Sequence, residues 1–158
     1  MKKYHLGGYV TYLQRAEAAF HTQRLKLYNI SYGQFSLMMT LFFEDGINQE
    51  TLAKRLFVNK ATVARAVDKL EQGGYVERTH DANDGRANRV FLTPKGRAIE
   101  PVAKEQIREW NSILVAGLTD VESLVLNELL KKSTFNAIHG MGQDDSILPP
   151  QLRDPSQK

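Results

Sequence analysis

Near the middle of the chain, two amphipathic helices are separated by only about three residues, and this pair constrains the fold more than any other feature. Asn48 offers a side-chain oxygen to cap a short helix through Leu56, with Leu52, Ala53 and Leu56 turned inward. Phe57-Val58-Asn59 breaks it. Asn59 in turn caps a second helix, Lys60 to Gln72, which stops at Gly73-Gly74, where left-handed backbone carries no Cβ penalty. Two helices joined this closely make a helix-turn-helix.

The flanking sequence predicts more helices and one hairpin. Leu6, Tyr9, Val10, Leu13, Ala16 and Phe20 fall at helical spacing, which predicts an amphipathic helix over Leu6 to Leu27 that needs a partner surface. Ser31-Tyr32-Gly33-Gln34 is a capping box ahead of the apolar run FSLMMTLFF, so a buried helix is expected to end near Glu44, with Asp45-Gly46 turning the chain. The runs YVERT and NRVFL, separated by HDANDGRA, predict a two-stranded hairpin. Thr93-Pro94 starts another helix, with the proline where its missing N–H costs nothing. Pro101 should kink that helix or shift its regular start, and Ile99, Val102, Ala103, Ile107, Trp110, Ile113 and Leu114 continue it. A second capping box, Thr119 to Glu122, opens a last helix lined by Val121, Leu124, Val125 and Leu129. After Gly140 the pattern dissolves into a segment with three of the five prolines, read as a mobile tail.

At 158 residues the chain has the size of one domain, or of one domain with an oligomerisation arm. Its net charge of +3 is unevenly spread. Residues 48–97 carry ten Lys/Arg against six Asp/Glu, and the rest carry eleven against twelve. The excess surrounds the helix pair and hairpin and fits an anionic partner. The chain has no cysteine, which excludes disulfides, thiolate metal sites and cysteine redox sensing. No run reaches the length of a membrane span, and MKKYHLGGYV lacks the apolar core of a signal peptide, so a cytoplasmic protein without membrane contact is expected.

No Gly-rich phosphate loop, HExxH or G-x-S-x-G elbow is present, so no enzyme and no cofactor are expected. Glu17 and His21, at i and i+4, are near enough to share a metal but lack further ligands, and no metal site is assigned. His5, His80 and His139 are far apart and are read, with His21, as ordinary surface or core residues.

The second helix of the pair has two faces. Val63, Ala66, Val67 and Leu70 lie at core spacing, and Thr62, Arg65 and Lys69 lie on another face. Asn59, Lys60 and Ala61 begin the helix, where free N–H groups and the positive dipole end can meet a phosphate. Such a helix fits a DNA major groove, with Arg or Lys donating to guanine, Asn pairing with adenine and small side chains touching a thymine methyl. Cations on a helix face also serve as plain solvated surface, so the hairpin tip carries the argument further. It bears Arg86, whose guanidinium can enter a narrow minor groove, and Asp84, which can accept from Arg86 and fix its direction.

The run DANDGRANRVFLTPKG, leading into a long helix, resembles the MarR family of winged-helix transcription regulators. The family's Asp-x-Arg, short apolar strand and Leu-Thr-x-x-Gly are matched by Asp84, Arg86, Leu92, Thr93 and Gly96, and NKATVARAVDKLEQGGYVER resembles the family's recognition helix and its exit into the wing. The resemblance is specific over Gln49 to Arg97. It implies a mainly α fold with a small β-hairpin wing: a winged helix-turn-helix DNA-binding domain at residues 31–93, a helical dimerisation domain from 1–30 and 94–140, and a tail at 141–158. It further implies a homodimer on a pseudo-palindromic site in double-stranded DNA, acting most often as a repressor. Arg86 would enter the minor groove with Asp84 orienting it. Asn59, Lys60, Ala61, Thr62, Arg65 and Lys69 would face the major groove or flanking phosphates, with Gln49 and Thr51 as further phosphate candidates.

Family members often release DNA when a small aromatic or phenolic anion enters a pocket between the two parts, and Tyr9, Tyr12, Arg15, Phe20 and Arg24 are the residues expected to line one here. Aromatic stripes more often pack in cores and interfaces. The rival reading is a winged helix used as a protein-interaction or RNA-contacting module. A protein-docking wing calls for apolar anchors, and this tip carries Asp, Asn, Gly and Arg. An RNA role calls for exposed aromatics, and none are grouped on the recognition face.

Overall fold

Five helices begin at a side-chain cap, and those caps set the frame. In the computed structural model, which describes residues 5–80 and 88–153, Ser31 and Gln34 close a reciprocal capping box at the start of α2 (Tyr32–Phe43). The Asn48 side chain accepts from the Thr51 N–H at 2.8 Å to start α3 (Gln49–Arg55), and Asn59 accepts from the Thr62 N–H at 2.8 Å to start α4 (Lys60–Gln72). Thr93 caps α5 (Pro94–Arg97), and Thr119 with Glu122 forms the second box at α7 (Asp120–Gly140). The two remaining helices are α1 (Leu6–Leu25), continued by a 3-10 turn Lys26–Tyr28, and α6 (Glu100–Leu114). Pro101 shifts the regular start, as its missing N–H demands: the chain makes one turn in α5, breaks at Ala98-Ile99, and resumes with Pro101 in the first turn of α6.

The core is built from α2, α3, α4 and a sheet. Leu37, Met38 and Leu41 of α2, Leu52 of α3, Val63, Val67 and Leu70 of α4, and Val76 and Val90 of the strands are all essentially inaccessible to solvent. The sheet has three strands where the sequence predicts two. β2 (Val76–His80) and β3 (Asn88–Leu92) pair antiparallel from Val76↔Leu92 to His80↔Asn88, and β1 (Ile47–Asn48) adds to the other edge of β3 through Ile47↔Val90 and Asn48↔Arg89. A two-residue strand has no periodicity to read, and only its partner makes it a strand. Gly46, at φ 72°, turns the chain into β1, and Asp45 ties that corner down by accepting from the Leu92 N–H at 2.9 Å and from Arg97 at 2.5 Å.

Four helix ends close in the same way. A residue with positive φ stands at or just after the cap, its N–H bonds to the carbonyl three back, and the next N–H reaches the carbonyl five back. These residues are Asn29 after the Lys26–Tyr28 turn, Phe57 after α3, Gly74 after α4 and Gly142 after α7, with φ of 54°, 52°, 72° and 70°. Left-handed backbone costs an ordinary L-residue about 1–2 kcal/mol, and glycine or asparagine less.

α1 and α7 lean least on the rest of the protomer. α1, 20 residues long, buries only His21 and Leu25, and α7, 21 residues long, buries only Ile138. Leu6, Tyr9, Val10 and Leu13 of α1 and Val121, Leu124, Val125 and Leu129 of α7 are exposed, with Val121 at 71% and Leu124 at 64%. The junction with the helix-turn-helix is better filled: His21 is 1% exposed, its Nδ1 lies 2.9 Å from Gln106 Oε1 on α6, and its ring packs beside Phe35.

Past Gly140, where the sequence shows no pattern, residues 141–153 form 3-10 turns at Asp145–Ile147 and Pro150–Leu152 that fold back on α7. Ile147 and Leu148 pack with Ile138 and Phe135, and Arg153 donates to the Leu148 and Ser146 carbonyls. No helix among the described residues is long and apolar enough to cross a membrane.

Candidate nucleic-acid interface

α4 presents the two faces expected of it. Val63, Val67 and Leu70 are buried, Arg65 and Lys69 are exposed, and Thr62 is half-buried beside them, with its hydroxyl 3.5 Å from an Arg65 guanidinium nitrogen. Asn59, Lys60 and Ala61 are exposed at the start of the helix. The Asn59 side-chain oxygen is occupied by capping, which leaves its NH₂ as the group free to meet DNA. Gln49 and Thr51 are half-buried in the first turn of α3, beside the α4 N-terminus.

Charge at this edge is organised by Glu50. Lys60 lies 3.1 Å and Lys54 3.3 Å from its two carboxylate oxygens. Hydrogen bonds from Lys60 and then Lys54 hold the Glu50 carboxyl below its usual range. Glu50 and Lys54, at i and i+4 on α3, are a pairing visible in sequence, whereas Lys60 joins them only because the turn brings α4 back over α3.

The far end of α4 is clamped. Arg78 on β2 reaches Asp68 at 2.8 Å and pairs with Glu71, whose carboxyl it holds below the usual range. The Thr93 hydroxyl donates to the Gly74 carbonyl at 2.6 Å and accepts from the Gly96 N–H at 3.1 Å, and the Thr93 N–H donates to the Tyr75 carbonyl at 3.1 Å. Lys95 donates to the Gly73 carbonyl at 2.7 Å and lies over the Tyr75 ring. Gly96 itself sits so close that a Cβ there would fall 2.0 Å from the Tyr75 carbonyl oxygen. The Leu-Thr-x-x-Gly run is thus a clasp between the exit of α4 and the entry to α5. Neither Arg78 nor Lys95 is singled out by sequence, because each gains its partner through the fold.

Asp84 and Arg86 lie outside the described residues. The strands on either side of that segment in sequence, β2 and β3, are in register up to His80 and Asn88. Arg89 on β3 donates to the Gly46 carbonyl at 3.1 Å.

The five residues expected around an effector split into two groups. Phe20 and Arg24 come together with α6: the Arg24 guanidinium lies 3.7 Å from the Phe20 ring centroid, Phe20 is 5.4 Å from Trp110, and Arg24 pairs with Glu109. Tyr9, Tyr12 and Arg15 sit on the exposed half of α1, with Arg15 5.4 Å from the Tyr12 ring. Tyr12 and Phe20 are about 12 Å apart along the axis at 1.5 Å per residue, so the five do not converge within one protomer. An open groove of about 720 Å³ instead runs along the surface where α2 meets α4, lined by Tyr32, Gln34, Leu37, Val63, Arg65 and Lys69 among others. Glu17 and His21 approach to 4.0 Å, and no group of three or more metal-binding side chains forms among the described residues.

Comparison with known proteins agrees with this geometry. Residues 30–87 match the model of the MarR family. A crystal structure of a MarR transcriptional regulator from Methanosarcina mazei Go1 is 38% identical, with a TM-score of 0.82 over 85% of this chain and 96% of that one. The HTH-type transcriptional regulator YybA of Bacillus subtilis is 26% identical over 124 residues, covering 78% of this chain and 83% of the relative. The regulator SarZ of Staphylococcus haemolyticus is 33% identical over 84 residues, 53% of this chain and 57% of its own length. With the winged helix, its clasp and these relatives in agreement, the chain belongs to the MarR family of DNA-binding transcriptional regulators.

Proposed function

We propose that the protein is a homodimeric repressor that reads a pseudo-palindromic operator and leaves it when a small aromatic or phenolic anion binds. The observation that carries the dimer is the exposure of the first half of α1 and of α7 as far as Leu130, where Leu6, Tyr9, Val10, Val121, Leu124 and Leu129 present apolar surface to solvent. A 21-residue helix burying one side chain gains too little to stay ordered alone, and a second copy supplies the missing surface. In this reading residues 1–30 and 94–140 form the dimer arm, residues 31–93 read DNA, and the two α4 helices lie one helical turn, about 34–36 Å, apart.

Effector control draws support from the 720 Å³ groove between α2 and α4, where Arg65 and Lys69 offer cations and Tyr32 an aromatic wall. An anion held there would compete with phosphate for the same two side chains. The relatives are transcriptional regulators, which supports binding as the activity.

The test is selection from a pool of randomised duplexes at near-physiological salt, where non-specific phosphate binding is weak. An inverted repeat with half-sites about one turn apart is expected. Retention of random sequence, from protein shown to be folded and dimeric, would instead favour the interaction-module reading.

Two substitutions separate the contacts. Arg86→Ala is expected to weaken operator binding by about 1–3 kcal/mol, the scale of a specific groove contact, without changing dimerisation. Unchanged affinity removes the wing from the interface. Lys69→Ala is expected to weaken all duplexes about equally and to reduce the salt slope by about one, as the loss of one phosphate contact requires. A loss confined to one base pair would make Lys69 a base reader.

A further inference from the structure

Of the four helix ends that close through a left-handed residue, three use the types that tolerate it: Asn29, Gly74 and Gly142. The fourth, in the turn of the helix-turn-helix, uses Phe57. Its hydrogen bonds are those of its three counterparts, from the Phe57 N–H to the Lys54 carbonyl at 3.2 Å and from the Val58 N–H to the Ala53 carbonyl at 3.1 Å. Glycine would make both bonds without a Cβ penalty. Nor does the ring gain burial in exchange. Phe57 is 57% exposed and lies outside the core cluster, whereas the next residue, Val58, lines the groove between α2 and α4. The chain therefore holds a bulky apolar side chain in a strained conformation, facing solvent, two residues before the cap of the recognition helix.

We propose that the Phe57 ring is a DNA-contacting group, which meets an apolar edge of the operator, a thymine methyl or a deoxyribose, when α4 enters the major groove. This rests on the DNA-binding reading above and assigns to that interface a residue outside the helix. Its neighbours favour DNA over an apolar protein partner. Lys54, three residues before, and Lys60, three residues after, are both exposed, so the ring is flanked in sequence by two cations suited to phosphates. Strain held at a binding site and offset only in the complex is a recognised use of rare backbone conformations.

Stability and affinity should move in opposite directions. Phe57→Gly is compared with the native protein on a duplex that the native protein has enriched from the randomised pool. Relief of the left-handed strain is expected to raise Tm by about 2–4 °C. Loss of the ring is expected to weaken binding by about tenfold and to relax preference at the one or two base pairs it meets. Phe57→Asn, which also accepts positive φ, should reproduce both changes. A rise in Tm with unchanged affinity and base preference would mean that the ring serves something other than DNA, and overturns the proposal. A fall in Tm would mean that the ring stabilises the fold, and overturns it equally. Failure of the native protein to enrich any duplex would strike the DNA reading itself, a different result from either.

Discussion

Leu124→Glu is expected to convert the protein from dimer to monomer and to reduce operator affinity by a hundredfold or more. Leu124 is 64% exposed in one protomer, on the stretch of α7 where Val121, Val125 and Leu129 are exposed beside it. In an isologous dimer each substitution counts twice. Losing two leucine burials at about 1.5–3 kcal/mol each, and bringing two carboxylates toward an apolar interface at several kcal/mol more, exceeds the margin of most interfaces of ordinary size. Affinity falls because two half-sites are no longer engaged together, and the gain in effective concentration from linking them is lost. Sedimentation at micromolar concentration, beside binding to the selected duplex, reads both changes. Leu124→Met, similar in volume and apolar, should remain dimeric. A Leu124→Glu protein that stays dimeric at full affinity would place the dimer interface elsewhere.

The second large effect belongs to Gly96→Ala. The added Cβ would stand 2.0 Å from the Tyr75 carbonyl oxygen and 3.2 Å from Leu92 Cδ2, and the first of these neighbours is backbone. Nothing flexible can give way, so α5 must lift off the exit of α4, which strains the Thr93 and Lys95 bonds to Tyr75, Gly74 and Gly73. Overpacking together with weakened hydrogen bonds is expected to destabilise by about 2–4 kcal/mol, a fall in Tm of roughly 5–15 °C. Operator binding should weaken even well below that transition, because in the proposed dimer the clasp would set the angle between α4 and the helices of the dimer arm. Gly33→Ala provides the contrast: a Cβ there meets nothing within 4 Å, and alanine favours the helix, so stability should hold or rise. If Gly96→Ala behaves like Gly33→Ala, the clasp does not position α4.

Helix starts are legible in this chain because a cap involves only the cap residue and its third neighbour. Ser31, Asn48, Asn59, Thr93 and Thr119 all act as their types suggest. The outward face of α4 is legible for the same reason, since it follows from period alone. Features that depend on distant partners are not. β1 is two residues made into a strand by β3, some forty positions away. The His21 to Gln106 hydrogen bond spans 85 residues, and Lys60 finds Glu50 only across the turn. The segment after Gly140, read from sequence as a mobile tail, is held by Ile147 and Leu148 against Ile138, contacts with no local pattern. Phe57 is hidden for the opposite reason: the rule that left-handed positions take glycine makes a phenylalanine there invisible until the backbone is seen.

The Glu50 carboxylate amounts to a counterion that the protein carries with it. Attraction to arbitrary DNA comes from cations displacing small ions from the phosphates, and Lys54 and Lys60 must first give up Glu50 before they take part. Each therefore gains less on a random sequence than a bare lysine would. Only a sequence on which α4 seats fully brings phosphates close enough to complete the exchange. If α4 enters the groove as proposed, the effect is to shorten the time lost on wrong sites, so that the two lysines would speed the search for the operator and not merely deepen the hold on any stretch of DNA.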